Sequence, residues 1–183
     1  MKKIKQLINN YGTFIQLPWK DDLAADQRVI FCVYDQSNEL NLRARIDEFE
    51  IATRKADHGW FCFDLTNTFA VWMSKNRYIK SYFVQPELLQ NLMEAYLTFL
   101  TEEFQIFVEQ NECTENDVIT LCGVSSLFGL LKVKELVDKT SRLTKGRLVV
   151  LFPGTFENNN YKLLDAYDGW NYLAVPITSE TQI

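Results

Sequence analysis

Small polar residues and glycines closely follow four apolar runs of this sequence, and their types suit ligand binding. They are Asp35 and Ser37, Asp64, Gly123 with Ser125 and Ser126, and Gly154. If the runs are parallel strands, these residues lie beyond the carboxyl ends, where open sheets bind their ligands. Backbone amides in the turn after Cys122 could hold a nucleotide or phosphoanion. The alternative is structural, with Ser37, Thr66 and Ser125 as helix caps and Gly123 as a turn that passes close to a neighbour.

The sequence lacks the motifs that would identify a phosphate ligand or a reaction. Neither G-x-x-x-x-G-K-S/T nor G-x-G-x-x-G follows Cys122, and the turn has no lysine to pair with a triphosphate. Asp35 and Asp64 could together hold Mg²⁺, but no third acidic residue follows a strand. No nucleophile and base occur at a recognisable spacing. We therefore predict no catalytic residue, no metal and no cofactor.

Arginine, cysteine and histidine each allow a structural and a functional interpretation. Arg43 follows Glu39 by four residues, the spacing of a helical ion pair, but it could instead bind a partner's carboxylate or phosphate. Cys32, Cys62 and Cys122 lie inside apolar runs and no C-x-x-C pair exists, which favours buried, reduced thiols over a redox or metal role. His58 precedes Gly59 and is predicted to lie in a turn.

Length and charge exclude several classes of protein. The 183 residues fit one domain, residues 1–183, long enough to bury roughly 70% of the unfolded surface. The net charge is −5 and the pI is 5.0, so direct nucleic acid binding is not expected. Apolar runs end after about six residues, whereas about 20 are needed to cross a bilayer. We expect a cytoplasmic protein that neither spans a membrane nor carries a secretion signal.

Apolar runs and helical periodicities alternate along the chain. The predicted strands are 28–34, 60–64, 118–122, 147–152 and 172–177, with an irregular short strand at 161–164. The predicted helices are 2–11, one beginning near Asn38, 66–75, 86–111 and one from Ser125 or Ser126 to Asp138. Continuous apolar runs indicate strands buried on both faces. The fold class is therefore α/β, a single three-layer domain with a mainly parallel, five-stranded Rossmann-like or flavodoxin-like sheet in the order 2-1-3-4-5.

The segment from Phe152 to Tyr172 concentrates aromatic rings, amides and turn formers. Such a composition suits protein recognition, because rings supply contact area and amides supply adaptable hydrogen bonds. Tyr161, Tyr167 and Trp170 are the candidate partner-binding rings, and the alternative is that they fold back over the sheet edge. If they do, the long helix from Pro86 to Asn111, about 40 Å in length, is the next candidate surface.

Three further runs join this segment in a pattern that covers nearly the whole chain. They are Arg28-Val29-Ile30-Phe31, Asn38-Glu39-Leu40-Asn41-Leu42-Arg43 and Gly123-Val124-Ser125-Ser126-Leu127-Phe128-Gly129. The pattern resembles the BrxB family of the bacterial BREX phage-exclusion systems, whose domain was long labelled as of unknown function. The resemblance implies a genetic context with a DNA methyltransferase, a large ATPase and a PglZ-type protein of the alkaline-phosphatase class. It implies no catalytic residues.

The residues and the resemblance together predict a non-enzymatic assembly or regulatory subunit of a BREX phage-defence complex. It would act by protein–protein interaction with other BREX components, above all the PglZ-type phosphatase-class protein. The alternative is a nucleotide or phosphoanion sensor that uses the turn after Cys122. A hydrolase is a third possibility, for which the sequence offers no nucleophile and base at a believable spacing.

Overall fold

The computed structural model describes residues 2–20, 22–158, 160–164, 166–167 and 174–181. Its strands are β1 Val29–Tyr34, β2 Gly59–Asp64, β3 Asp117–Cys122, β4 Arg147–Glu157, β5 Asn160–Leu163, β6 Ala166–Tyr167 and β7 Val175–Ile177. Its α-helices are α1 Lys2–Ile15, α2 Glu39–Arg43, α3 Ile46–Lys55, α4 Thr68–Ser74, α5 Ile79–Val84, α6 Met93–Gln110 and α7 Val133–Leu143. Short 3-10 helices span Ala25–Arg28, Gln36–Asn38, Pro86–Leu92 and Val124–Leu127.

Five strands pair in parallel in the order β2-β3-β4-β1-β7. The end of β4 continues past this sheet and pairs antiparallel with β5, which pairs with β6. The mainly parallel α/β class is confirmed, as is the short strand near Tyr161. The expected order 2-1-3-4-5 is wrong, because β1 lies between β4 and β7 rather than beside β2. The connection over residues 35–58 carries the chain past two strands to the third position along the sheet, a span of about 14 Å at normal strand spacing.

Helices cover both faces of the sheet, so the structure has three layers. On one face α1 and α3 pack on the sheet through a cluster that includes Leu7, Tyr11 and Phe49. On the other face α6 and α7 pack through a cluster that includes Phe104 and Leu136. The chain crosses the sheet in one direction from β1 to β2 and in the opposite direction from β2 to β4. Crossover connections between parallel strands are right-handed, so a reversal of direction places the connecting helices on the opposite face.

Several helix boundaries differ from the prediction. The first helix, α1, ends at Ile15 instead of Tyr11. The long α-helix begins at Met93 instead of Pro86, so its 18 residues extend about 27 Å. The helix after β3 begins at Val133, not at Ser125 or Ser126, because Gly129 at a φ of 76° interrupts the backbone after the 3-10 turn Val124–Leu127. Among the described residues, no helix combines the length and apolarity needed to cross a membrane.

Candidate functional site

Polar side chains from three different connections meet beyond the carboxyl ends of β1, β2 and β3. We call this set, which consists of Tyr34, Glu39, Arg43, Asp64, Thr66 and Ser125, the strand-end network. Tyr34 ends β1 and Asp64 ends β2, while Ser125 lies in the 3-10 turn after β3. The short helix α2 supplies Glu39 and Arg43. These positions follow from the parallel sheet, in which all carboxyl ends lie at the same edge.

Arg43 joins the connection that follows β1 to the connection that follows β2. Its Nε atom donates to Glu39 Oε1 at 2.8 Å, and its Nη2 atom donates to Thr66 Oγ1 at 3.0 Å. Thr66 in turn donates through its hydroxyl and its backbone amide to Asp64 Oδ1. The Glu39 hydrogen bond raises the pKa of Arg43, so the guanidinium stays charged. The helical ion pair anticipated from the spacing is present, and Arg43 makes an additional long-range contact.

Glu39 also contacts the end of β1 and the turn after β3. The Tyr34 hydroxyl donates to Glu39 Oε2 at 2.5 Å, and Ser125 Oγ lies 3.5 Å from Glu39 Oε1. Burial raises the pKa of Tyr34 far above its ordinary value, and the neighbouring Glu39 carboxylate raises it further. Tyr34 therefore keeps its proton throughout the neutral range and acts as a hydrogen-bond donor.

Gly123 lets the turn after β3 pass against this network. Its φ is 69°, and a Cβ atom built on it would lie 2.4 Å from Thr66 Oγ1 and 2.8 Å from Asp64 Oδ1. Ser126 fixes the same turn, because its Oγ atom donates to Gly123 O at 2.7 Å and to Leu65 O at 3.0 Å. The absence of a side chain at Gly123 is thus a steric requirement of the contact between the second and third connections.

Asp35 and Gly154 lie together in a groove of about 390 Å³ beyond β1 and β7. The groove is lined by backbone and side chains of α1, β1, β4 and the chain after β7, including Lys3, Glu157 and Glu180. Asp35 Oδ1 accepts hydrogen bonds from the Ser37 amide and hydroxyl, which hold the pKa of Asp35 below its ordinary value. Three carboxylates face one ammonium here, so the groove is poorly suited to an anion.

The predicted ligand-binding residues therefore divide between two places. Asp64, Gly123, Ser125 and Ser126 lie in or beside the strand-end network, whereas Asp35, Ser37 and Gly154 lie in or beside the groove. The prediction that Ser37, Thr66 and Ser125 are helix caps is wrong. Asp35 and Asp64 are the acceptors that close the first two turns, and Gly123 precedes the 3-10 helix that contains Ser125. The sequence analysis missed Tyr34. Its position as the last residue of a predicted strand is the feature that could have identified it. Among the described residues, no group of three or more His, Cys, Asp or Glu side chains is placed to hold a metal ion.

Little in the strand-end network supports a nucleophilic mechanism. Ser125 has a carboxylate as its neighbour at 3.5 Å, beyond a good hydrogen bond between oxygens. The one histidine of the sequence, His58, lies before β2 at the opposite edge of the sheet, where its ring stacks on Trp19 with centroids 3.7 Å apart. Its Nδ1 atom is 2.7 Å from Asn116 Oδ1. The connections are joined by other contacts, from Arg43 to Thr66 and from Ser126 to Leu65 O, and Ser125 contributes little to them.

The three rings predicted to bind a partner have different outcomes. Tyr161 is 1% exposed, because alternate residues of β5 point into the core. Its ring contacts Phe31 and Phe156, each with centroids 4.6 Å apart, so its assignment to a partner surface is wrong. Tyr167 belongs to β6, opposite Lys162, and its side chain is outside the described part of the structure. Trp170 also lies outside the described residues.

A different segment of the chain, from α4 through α5 to the 3-10 helix that follows, exposes large apolar side chains. We call it the α4–α5 surface, and its members are Val71, Tyr78, Val84 and Leu88, which are 48%, 60%, 79% and 37% exposed. The inner side of α4 is anchored on α6, where the Thr68 hydroxyl lies 2.8 Å from the Tyr96 hydroxyl and Trp72 packs on the Tyr96 ring. Val71, on the same helix, remains exposed to solvent.

The fold and the network define a three-layer α/β protein whose strand-end residues hold one another in place. Comparison of this chain with protein-family models, with curated proteins and with solved structures gives no match.

Proposed function

We propose that this chain is a non-enzymatic assembly subunit of a bacterial phage-defence complex of the BREX type, and that it acts by protein–protein contacts. The defence context rests on the resemblance to the BrxB family. The observation that carries the binding role is the α4–α5 surface, where four large apolar side chains are exposed within residues 71–88. Several large apolar side chains exposed in one segment favour an interaction site, since water contact with them is unfavourable.

The charge around the α4–α5 surface indicates the chemistry of the partner. Lys75, Arg77 and Lys80 are exposed in this segment, and no acidic residue occurs from position 68 to position 86. The chain as a whole carries a charge of −5, so this segment differs in sign from its surroundings. An apolar protein surface with an acidic rim would complement it, because complementary rims accelerate encounter and exclude wrong partners.

Binding to the products of the neighbouring defence genes, including the PglZ-type phosphatase-class protein, tests the proposal. Tyr78→Ala should weaken the complex by about thirtyfold, the effect of removing a central ring worth 2 kcal/mol or more. Tyr78 is exposed, so the variant should keep the melting temperature of the parent protein. Ile51→Ala is the matched control, because Ile51 is 50% exposed on α3, at the opposite face of the sheet.

Two results would count against the proposal, and they are distinct. If the unmodified chain captures none of the neighbouring gene products at micromolar concentration, the assembly role fails. If it captures one and Tyr78→Ala binds as tightly as Ile51→Ala, the role stands but the α4–α5 surface is not the interface. Arg77→Glu is a second test of the α4–α5 surface. Reversing this charge should slow association with the partner, most strongly at low salt.

The alternative role, a nucleotide or phosphoanion sensor at the turn after Cys122, has weaker support. The 3-10 helix there has four residues, and the carboxylates of Glu39 and Asp64 face the single guanidinium of Arg43. Melting the protein with ATP, GTP, cyclic nucleotides and phosphate tests this role. A ligand at 100 times its dissociation constant would add about 2.7 kcal/mol of stability, and a sensor should show such a rise.

A further inference from the structure

Two cysteines lie side by side on the neighbouring strands β2 and β3. Both are free, and the Sγ atoms of Cys62 and Cys122 are 2.9 Å apart. An S–S bond is about 2.05 Å long, so each sulfur would move by less than about 0.5 Å to form one. The two residues are 60 positions apart in the sequence, so only the pairing of β2 with β3 brings the thiols together.

The strand register places the two thiols on one face of the sheet, diagonally across the pair. Cys62 lies opposite Thr120, and Asp64 lies opposite Cys122. Because side chains alternate along a strand, Cys62 and Cys122 both face the layer formed by α1 and α3. The two residues are offset by two positions along the strands, so closing a bond shifts the end of β3 along β2.

The environment of the pair distinguishes an attacking sulfur from a resolving one. Cys62 is half-buried on β2, the edge strand, whereas Cys122 is 5% exposed beneath it. The hydrogen bond between the two thiols lowers the pKa of Cys62, and the same hydrogen bond together with burial raises the pKa of Cys122. Cys62 is thus the more accessible sulfur and the one that forms a thiolate first.

We propose that Cys62 and Cys122 form a modification site at which hydrogen peroxide converts the two thiols into a disulfide. The Cys62 thiolate attacks one peroxide oxygen, the O–O bond breaks, and the other oxygen leaves as water after it takes up a proton. This step leaves Cys62 as a sulfenic acid. The Cys122 sulfur then loses its proton and attacks the Cys62 sulfur, and the S–O bond breaks to release a second water. The two sulfurs give up two electrons, and the peroxide takes up both.

The disulfide would sit directly beneath the strand-end network. Cys122 precedes Gly123, whose backbone contacts Thr66 and Asp64, and Cys62 lies two residues before Asp64. A shift of β3 along β2 therefore acts first on the close approach of Gly123 to Thr66. The modification site is independent of the α4–α5 surface and of the proposed assembly role.

Thiol counting on the purified protein tests the site. The fully reduced chain is treated with one equivalent of hydrogen peroxide, and catalase then removes the excess. The protein is unfolded in denaturant that contains N-ethylmaleimide, and its intact mass is measured by mass spectrometry. The number of alkylated cysteines should fall from four to two, and a reductant should restore it. A peptide map of the oxidised chain should join the peptides that contain Cys62 and Cys122. This map needs no variant, so it decides the pairing even if a substitution prevents folding.

Single substitutions give matched controls. Cys113→Ser should still lose two alkylatable thiols, because Cys113 lies in a different part of the fold, after α6. Cys62→Ser and Cys122→Ser should form no internal disulfide, although Cys122→Ser can still be oxidised at Cys62. Retention of all four thiols, a crosslink between any other pair, or oxidation of Cys62 to the sulfinic acid without a crosslink would each overturn the proposal.

Discussion

Replacing Gly123 with alanine should destabilise the protein through one identifiable contact. The backbone at Gly123 has a φ of 69°, and the new Cβ would lie 2.4 Å from Thr66 Oγ1 and 2.8 Å from both Asp64 Oδ1 and the Thr66 amide nitrogen. Real Cβ atoms do not approach other atoms this closely, so the turn after β3 and the turn after β2 must separate. Gly129→Ala is the matched control, since its φ is 76° and no heavy atom lies within 4 Å of the Cβ position.

The two substitutions share the cost of a left-handed backbone and differ in crowding. A non-glycine residue in this region costs about 1–2 kcal/mol, partly offset because alanine also restricts the unfolded chain. At Gly123 the displaced Thr66 also weakens its hydrogen bonds to Arg43 and Asp64, each worth about 0.5–1.5 kcal/mol net. We expect a loss of about 1 kcal/mol for Gly129→Ala and about 2–4 kcal/mol for Gly123→Ala.

Urea denaturation followed by circular dichroism measures both losses, with equal slopes required for the comparison. A double-mutant cycle then assigns the difference: combining Gly123→Ala with Thr66→Ala should cost less than the sum of the two single changes, because the crowded hydroxyl is gone. If Gly123→Ala and Gly129→Ala differ by less than about 0.5 kcal/mol, contact with Thr66 does not explain the glycine, and the close approach of the two turns is energetically unimportant.

Three further predictions concern the core, pH and catalysis. Thr53→Val should lower the free energy of unfolding by about 1–3 kcal/mol, because it leaves the buried Tyr11 hydroxyl without its partner. Tyr11→Phe should lower it less, because Thr53 still donates to Phe49 O. Chemical denaturation of both variants checks this order. Burial raises the pKa of Cys32, so the unfolded chain loses this proton first, and the stability it contributes is complete below about pH 8.5 and declines above it. Cys32→Ala should therefore flatten the fall in unfolding free energy between pH 8.5 and 10, by up to about 1.4 kcal/mol per pH unit. The purified protein should hydrolyse ATP no faster than background, and turnover that disappears in Ser125→Ala would contradict the non-enzymatic assignment.

Local sequence determined the strands and much of the helical structure. Continuous apolar runs such as Val29–Tyr34 predict strands buried on both faces, and in the structure every residue of β1 is buried. The four-residue spacing of Glu39 and Arg43 likewise predicts an ion pair that depends only on the helix that carries both residues. These features were predictable because the interactions that specify them lie within a few residues of one another.

Only the tertiary structure decided which elements are neighbours. The order β2-β3-β4-β1-β7 depends on how the connection after β1 crosses the sheet, and no residue of β1 encodes that path locally. The contact of Arg43 with Thr66, the burial of Tyr161 against Phe31 and the approach of Cys62 to Cys122 all follow from this order and from the strand register. Each joins residues more than 20 positions apart, and their proximity comes from packing of the whole domain, which a local pattern does not specify.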